Sequence, residues 1–154
     1  IKNDLDLSIY IDYAHTEAAL RAVLQTLKKT TKRDLIVVFS CGGDRDKHKR
    51  IKMGAVASKY ADMIYLTTDN PRSEDPEVIN SQIAAGFLST QRYEMILNRG
   101  SAIEKAILSA KKGDTILIAG KGHESTQTIG NTQIHFSDIE CVHSVLSSIS
   151  CNKE

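Results

Sequence analysis

Leu35-Ile36-Val37-Val38-Phe39 runs straight into Ser40-Cys41-Gly42-Gly43-Asp44-Arg45-Asp46. Five apolar residues without polar alternation describe a strand covered on both faces, as in the middle of a parallel sheet. The abrupt change to glycine and charge marks the carboxyl end of that strand. Thr115-Ile116-Leu117-Ile118-Ala119 repeats the pattern and opens into Gly120-Lys121-Gly122-His123-Glu124. Met63 to Leu66 is a shorter version, ahead of Asp69-Asn70-Pro71-Arg72. At the start, Leu5, Leu7, Ile9, Ile11 and Tyr13 alternate with polar residues, which predicts a strand with one covered face.

Helices separate these strands. Thr16 caps the first, with Glu17 in its first turn and Leu20, Val23, Leu24 and Leu27 on one stripe. A second is predicted from about Ile51 to Tyr60. Asp75-Pro76 starts a third that carries Val78, Ile79, Ile83 and Phe87. A short strand near Tyr93 to Leu97 precedes a helix from Ser101, which Gly113 ends as a left-handed cap. Gly130-Asn131 predicts a hairpin between Thr126–Ile129 and Thr132–Phe136, and Ser137-x-x-Glu140 a capping box for the last helix. Alternating strands and helices give right-handed βαβ crossovers. The expectation is one α/β domain: a doubly wound, mainly parallel sheet with an antiparallel C-terminal hairpin at an edge.

The chain of 154 residues is the size of one domain, with 41% apolar and 25% charged residues, which excludes disordered and low-complexity architectures. Twenty basic residues face nineteen acidic ones, so the net charge of +1 argues against a nucleic-acid binder. No apolar run approaches the ~20 residues of a membrane helix. Cys41, Cys141 and Cys151 lack any CxxC or zinc-type spacing and read as free, non-catalytic thiols of a cytoplasmic protein. The chain opens Ile1-Lys2-Asn3-Asp4, with neither an initiator Met nor a signal peptide, which is the expectation for a piece of a longer protein.

Ligands of open α/β sheets bind beyond the carboxyl ends of the strands. Four polar segments converge there: Asp12-Tyr13-Ala14-His15, the Gly42-Gly43 segment with Arg45, Asp69-Asn70-Pro71-Arg72, and Gly120 to Glu124. Gly42-Gly43 lets backbone approach a ligand, and Arg45 offers a fork for a carboxylate or phosphate. Asp69 to Arg72 sets an acid, an amide and a guanidinium around one rigid proline, a set that can hold both ends of a zwitterion. Gly120 to Glu124 is too short for a phosphate-binding P-loop. The residue types describe a small-molecule site for something zwitterionic and leave room for a nucleotide.

In this order and spacing, the four strings resemble the C-terminal domain of Mur ligases of the diaminopimelate-adding type, over about Leu5 to Ile149. The resemblance implies a Rossmann-like closing domain of a three-domain enzyme of peptidoglycan precursor synthesis. There, ATP with Mg2+ phosphorylates the glutamate carboxylate of UDP-N-acetylmuramoyl-L-Ala-D-Glu, and the amine of meso-diaminopimelate attacks the acyl phosphate. Carried onto this chain, Asp69, Asn70, Pro71 and Arg72 would recognise diaminopimelate, with Arg72 on the distal carboxylate that lysine lacks. Arg45 would meet a carboxylate of the same molecule, and Gly120 and Glu124 its amino and carboxylate ends. Asp12 and His15 would lie beside the ATP, with Lys49 and Arg50 towards its phosphates. The chain departs from the family pattern at Ser40, Glu17 and Ile51, where the family has Gly, Pro and Pro. It holds no counterpart of the phosphate loop, the magnesium ligands or the UDP-binding domain. Residues 1–154 are therefore expected to be one domain without catalytic residues or metal ligands of its own, inactive without the enzyme's N-terminal and central domains. A lysine-adding sister ligase and a stand-alone binding module are the competing readings.

Overall fold

The computed structural model describes residues 1–151. Strands β1 (Ser8–Asp12), β2 (Leu35–Phe39), β3 (Met63–Leu66), β4 (Tyr93–Met95) and β5 (Thr115–Ala119) form one sheet in the order β1-β5-β2-β3-β4. All its pairings are parallel. Both continuous apolar runs, Leu35–Phe39 and Thr115–Ala119, are buried at every residue, because β5 lies between β1 and β2 and both faces carry helices. On one face Leu35, Val37, Phe39 and Leu117 pack with Leu20, Leu24, Met53 and Ile79, from helices α1 (Glu17–Thr30), α2 (His48–Tyr60) and α3 (Pro76–Ala84). On the other, Ile36, Val38, Ile116 and Ile118 meet Ala102, Ile103 and Ile107 of α4 (Arg99–Ser109) and Val142 of α5 (Asp138–Cys151). Each such aliphatic side chain contributes roughly 1.5–3 kcal/mol by leaving water.

The predicted caps at Thr16 and Asp75 form: their side chains accept from the N–H groups of Ala19 and Glu77. Other boundaries differ. Helix α2 starts at His48, one turn before Ile51. Helix α3 ends at Ala84, which leaves Phe87 outside it, and Val78 faces solvent. Helix α4 begins at Arg99 under an Asn98 cap and ends at Ser109, so Gly113, at φ +90°, shapes the turn into β5 rather than capping the helix. The last helix keeps half of its capping box. Ser137 accepts from the N–H of Glu140, while the Glu140 carboxylate sits 2.7 Å from His135 Nε2.

The antiparallel hairpin forms where expected, as β6 (Thr126–Ile129) and β7 (Thr132–His135), but it is a separate two-stranded sheet rather than an edge of the main one. The chain leaving β5 emerges inside the sheet, between β1 and β2, so the next strands stand over the strand ends. There they meet the loop that follows β3. A buried ion pair that periodicity gives no sign of fixes this edge from behind. Arg99 binds both oxygens of Asp138, at 2.7 and 2.8 Å, and donates to the carbonyl of Ala119 at the end of β5. No helix among the described residues is long and apolar enough to cross a membrane.

Candidate functional site

The loops leaving β1, β2, β3 and β5 enclose one cleft of about 430 Å³, whose walls include His15, Arg45, Lys49, Asp69, Arg72 and Glu124. Gly42, Asn70 and Gly120 also line it, whereas Asp12 and Pro71 do not. The segments singled out in the sequence therefore meet.

The β2 and β3 loops touch backbone to backbone. The N–H of Gly43 donates to the carbonyl of Asn70 at 2.8 Å, and a Cβ on Gly43 would lie 1.8 Å from the carbonyl oxygen of Pro71. Asp44 adds a second tie, accepting from the hydroxyl and N–H of Ser73, which holds its carboxyl below the usual range. Arg72 has a left-handed backbone, φ +51°. For a side chain with a Cβ this costs on the order of 1 kcal/mol. The conformation turns its guanidinium back onto Gly43, whose carbonyl accepts from Nη1 at 2.8 Å. The side chain is half-buried and lines the cleft.

Asp69 is 9% exposed, and its carboxylate accepts no hydrogen bond from the described residues. Gly120, at φ +113°, leaves room for it, since a Cβ there would sit 2.6 Å from Asp69 Oδ2. A carboxylate this buried and without a hydrogen-bond donor is costly, a cost that a cation entering the cleft would offset. Beside it Lys121 is fully buried, its Nζ 3.4 Å from Asn70 Oδ1 and 3.3 Å from Glu124 Oε2. In the sequence Lys121 stands between two glycines. Nothing in the string shows that it turns inward to join Asn70 and Glu124.

Arg50 departs from the expected phosphate contact. It is fully buried and grips both oxygens of Glu74, at 2.8 and 3.0 Å. It also donates to Gln82 Oε1 and to the carbonyl of Gly42. A guanidinium held on four acceptors beneath the loops is a brace. The Arg50 hydrogen bonds, with a further one from the N–H of Asp44, lower the Glu74 carboxyl to about 2. Ser40, the departure from glycine, is also used: its hydroxyl donates to Asn80 Oδ1, and Asn80 donates to the carbonyl of Thr67. The other two departures leave their elements intact, with Glu17 opening α1 and Ile51 inside α2.

The opposite end of the cleft is sparser. Asp12 Oδ1 accepts from the N–H of Ala14 and so shapes the turn that presents His15. Tyr13 and His15 are exposed, with ring centroids 4.6 Å apart and edge to face. His15 Nδ1 donates to the carbonyl of Tyr13, and Lys49 Nζ to that of His15, both at 2.8 Å. Arg45 is exposed and forms no ion pair with the described residues. Cys41 lines the wall, but burial raises its thiol to about 11, so it is protonated and no nucleophile at neutral pH. All three cysteines are free. Among the described residues no three His, Cys, Asp or Glu groups cluster as a metal site.

The profile of the family described as "Mur ligase, glutamate ligase domain" matches residues 1–122. The chain belongs to this family. Within it, the UDP-N-acetylmuramoyl-L-alanyl-D-glutamate–2,6-diaminopimelate ligase 1 of Clostridium acetobutylicum is 47% identical over 146 residues, 95% of this chain and 30% of that protein. The ligase of the same name from Clostridioides difficile is 44% identical over 97% of this chain and 31% of its own length. A solved structure of a UDP-N-acetylmuramoyl-L-alanyl-D-glutamate–2,6-diaminopimelate ligase superimposes with a TM-score of 0.92 at 41% identity, over 97% of this chain and 31% of that one. The folylpolyglutamate/dihydrofolate synthase of Yersinia pestis, solved with AMPPNP and Mn, shares the fold alone. Its TM-score is 0.58 at 19% identity, over 92% of this chain and 28% of that one. The Mur ligase domain described here thus spans about a third of the length of the relatives it matches.

Proposed function

We propose that this domain is the amino-acid-binding part of an ATP-dependent ligase that adds meso-diaminopimelate to UDP-N-acetylmuramoyl-L-alanyl-D-glutamate. The observation that carries the reading is the charge pattern of one cleft. Two guanidiniums, Arg45 and Arg72, share it with a buried and unpaired Asp69. That pattern complements an amino acid with carboxylates at two ends and ammonium groups between.

In this reading Arg72 meets the distal carboxylate and Arg45 the other, while Asp69, Asn70, Glu124 and the backbone of Gly120 hold the ammonium ends. The guanidinium of Arg72 also excludes lysine. A lysine side chain would leave the arginine without its anion and place a second cation against it. Tyr13, His15 and Lys49 form one wall for ATP, the two rings beside the base or ribose and the ammonium near the phosphates. Asp12 acts through the turn it closes, and Arg50 through the loop it braces. ATP transfers its terminal phosphoryl group to the glutamate carboxylate, releasing ADP. The amine then displaces phosphate from the acyl carbon and gives up a proton. This domain's part in that second step is to fix the amine's position, the largest entropic obstacle to a reaction between two bound molecules. In this reading the rest of the enzyme holds Mg2+, and the domain by itself is inactive.

ADP release by the full-length ligase, with the UDP-linked dipeptide and either meso-diaminopimelate or L-lysine, tests this reading. Strong preference for diaminopimelate is expected. Preference for lysine would overturn the assignment of Arg72.

A further inference from the structure

The β6–β7 hairpin does more than follow the last strand of the sheet. Five hydrogen bonds join it to residues 68–72, the loop that carries Asp69, Asn70 and Arg72. Gln127 Nε2 donates to the carbonyls of Thr68, at 3.1 Å, and Asp69, at 2.7 Å. The N–H of Thr128 donates to Asn70 Oδ1 at 2.9 Å. The N–H of Arg72 donates to the carbonyl of Thr128 at 3.2 Å, and the carbonyl of Arg72 accepts from Gly130 at 2.7 Å. Gln127 is 6% exposed, whereas every residue of β7 is exposed. The hairpin therefore contributes little apolar burial of its own, and its inward contacts are directed at the loop.

These bonds fall where the loop most needs support. Arg72 is non-glycine in the left-handed region, and both its backbone groups are bound to the hairpin. A residue persists there only when its surroundings over-determine it. The same backbone bonds thus support the conformation that sets the Arg72 guanidinium on the carbonyl of Gly43. We infer that the β6–β7 hairpin positions the selecting loop: Gln127 holds its Thr68–Asp69 end and the backbone of Thr128 and Gly130 its Arg72 end, in the geometry that admits a second carboxylate. The inference rests on the function proposed above.

The test uses the full-length ligase. Gln127→Met keeps the length of the side chain and removes both donated bonds. The KM for diaminopimelate is expected to rise about tenfold, as for two lost hydrogen bonds, with the preference over lysine falling alongside. The KM for ATP and for the UDP-linked dipeptide, and kcat, should stay within about twofold. Loss of general packing would instead move all three KM values together, and that result, or an unchanged KM for diaminopimelate, overturns the inference. Should Gln127→Met fail to fold, Gly130→Ala decides. A Cβ there meets nothing within 4 Å, and the change acts only through its φ of +57° on the amide that holds Arg72. A selective rise in the same KM supports the inference, and no change refutes it. A wild-type enzyme that does not use diaminopimelate would refute the reading of the site itself.

Discussion

The two ends of the cleft are built differently. Around Asp69, Arg72 and Glu124 the loops are tied to each other, to Arg50 below and to the hairpin above, and the acid that faces the cleft is buried. Around Tyr13, His15 and Lys49 the rings are exposed and the ties few. Rigid, partly desolvated groups discriminate between ligands, because an unmatched charge there cannot be rehydrated. Exposed groups add affinity only once another surface covers them. On the proposed function, this contrast means that amino-acid selection is built within this domain, while the nucleotide wall is half a site that domain closure would finish.

Gly43→Ala attacks the rigid end most severely. Its Cβ would be 1.8 Å from the carbonyl oxygen of Pro71, so the two loops must part. A loss above ~3 kcal/mol, the upper end for overpacking, is expected in amino-acid binding by isothermal titration. Glu74→Gln removes the anion from buried Arg50 and should destabilise the chain by about 3 kcal/mol in urea unfolding, as for a broken buried pair. The same pair predicts an acid response. Glu74 falls from an ordinary 4.5 to about 2 on folding. Its contribution is therefore fully present above pH 4.5 and lost as pH falls through about 2. Thermal melts across that window should lose more stability in the wild type than in Glu74→Gln. At the sparse end, Lys49→Ala should leave the melting temperature unchanged and raise the KM for ATP by a factor matching about 1 kcal/mol. A large effect on amino-acid use would erase the distinction between the ends.

Most of the sheet was legible because burial on two faces writes itself into Leu35–Phe39 and Thr115–Ala119 without regard to sequence distance. The strand-end strings were legible because glycine and charge interrupt such runs. What stayed hidden depends on tertiary pairing. Arg50 stands in a run of cations, and only the fold brings Glu74 to it. Arg99 and Asp138 are 39 residues apart. Gln127 is one polar residue in an alternating strand, and its inward direction follows from hairpin register, which composition does not reveal. A hairpin is expected at an edge because strands usually extend sheets; the interior position of β5, between β1 and β2, prevents that here.

On the proposed function, Arg72 reads a carboxylate that lysine lacks. The most direct test is kcat/KM for meso-diaminopimelate and for L-lysine, measured on the full-length ligase and on its Arg72→Ala variant. Expected are a loss of ~2–4 kcal/mol in transition-state binding for diaminopimelate, an improvement for lysine, and a collapse of the preference. An Arg72→Ala enzyme that kept its preference for diaminopimelate would contradict this reading.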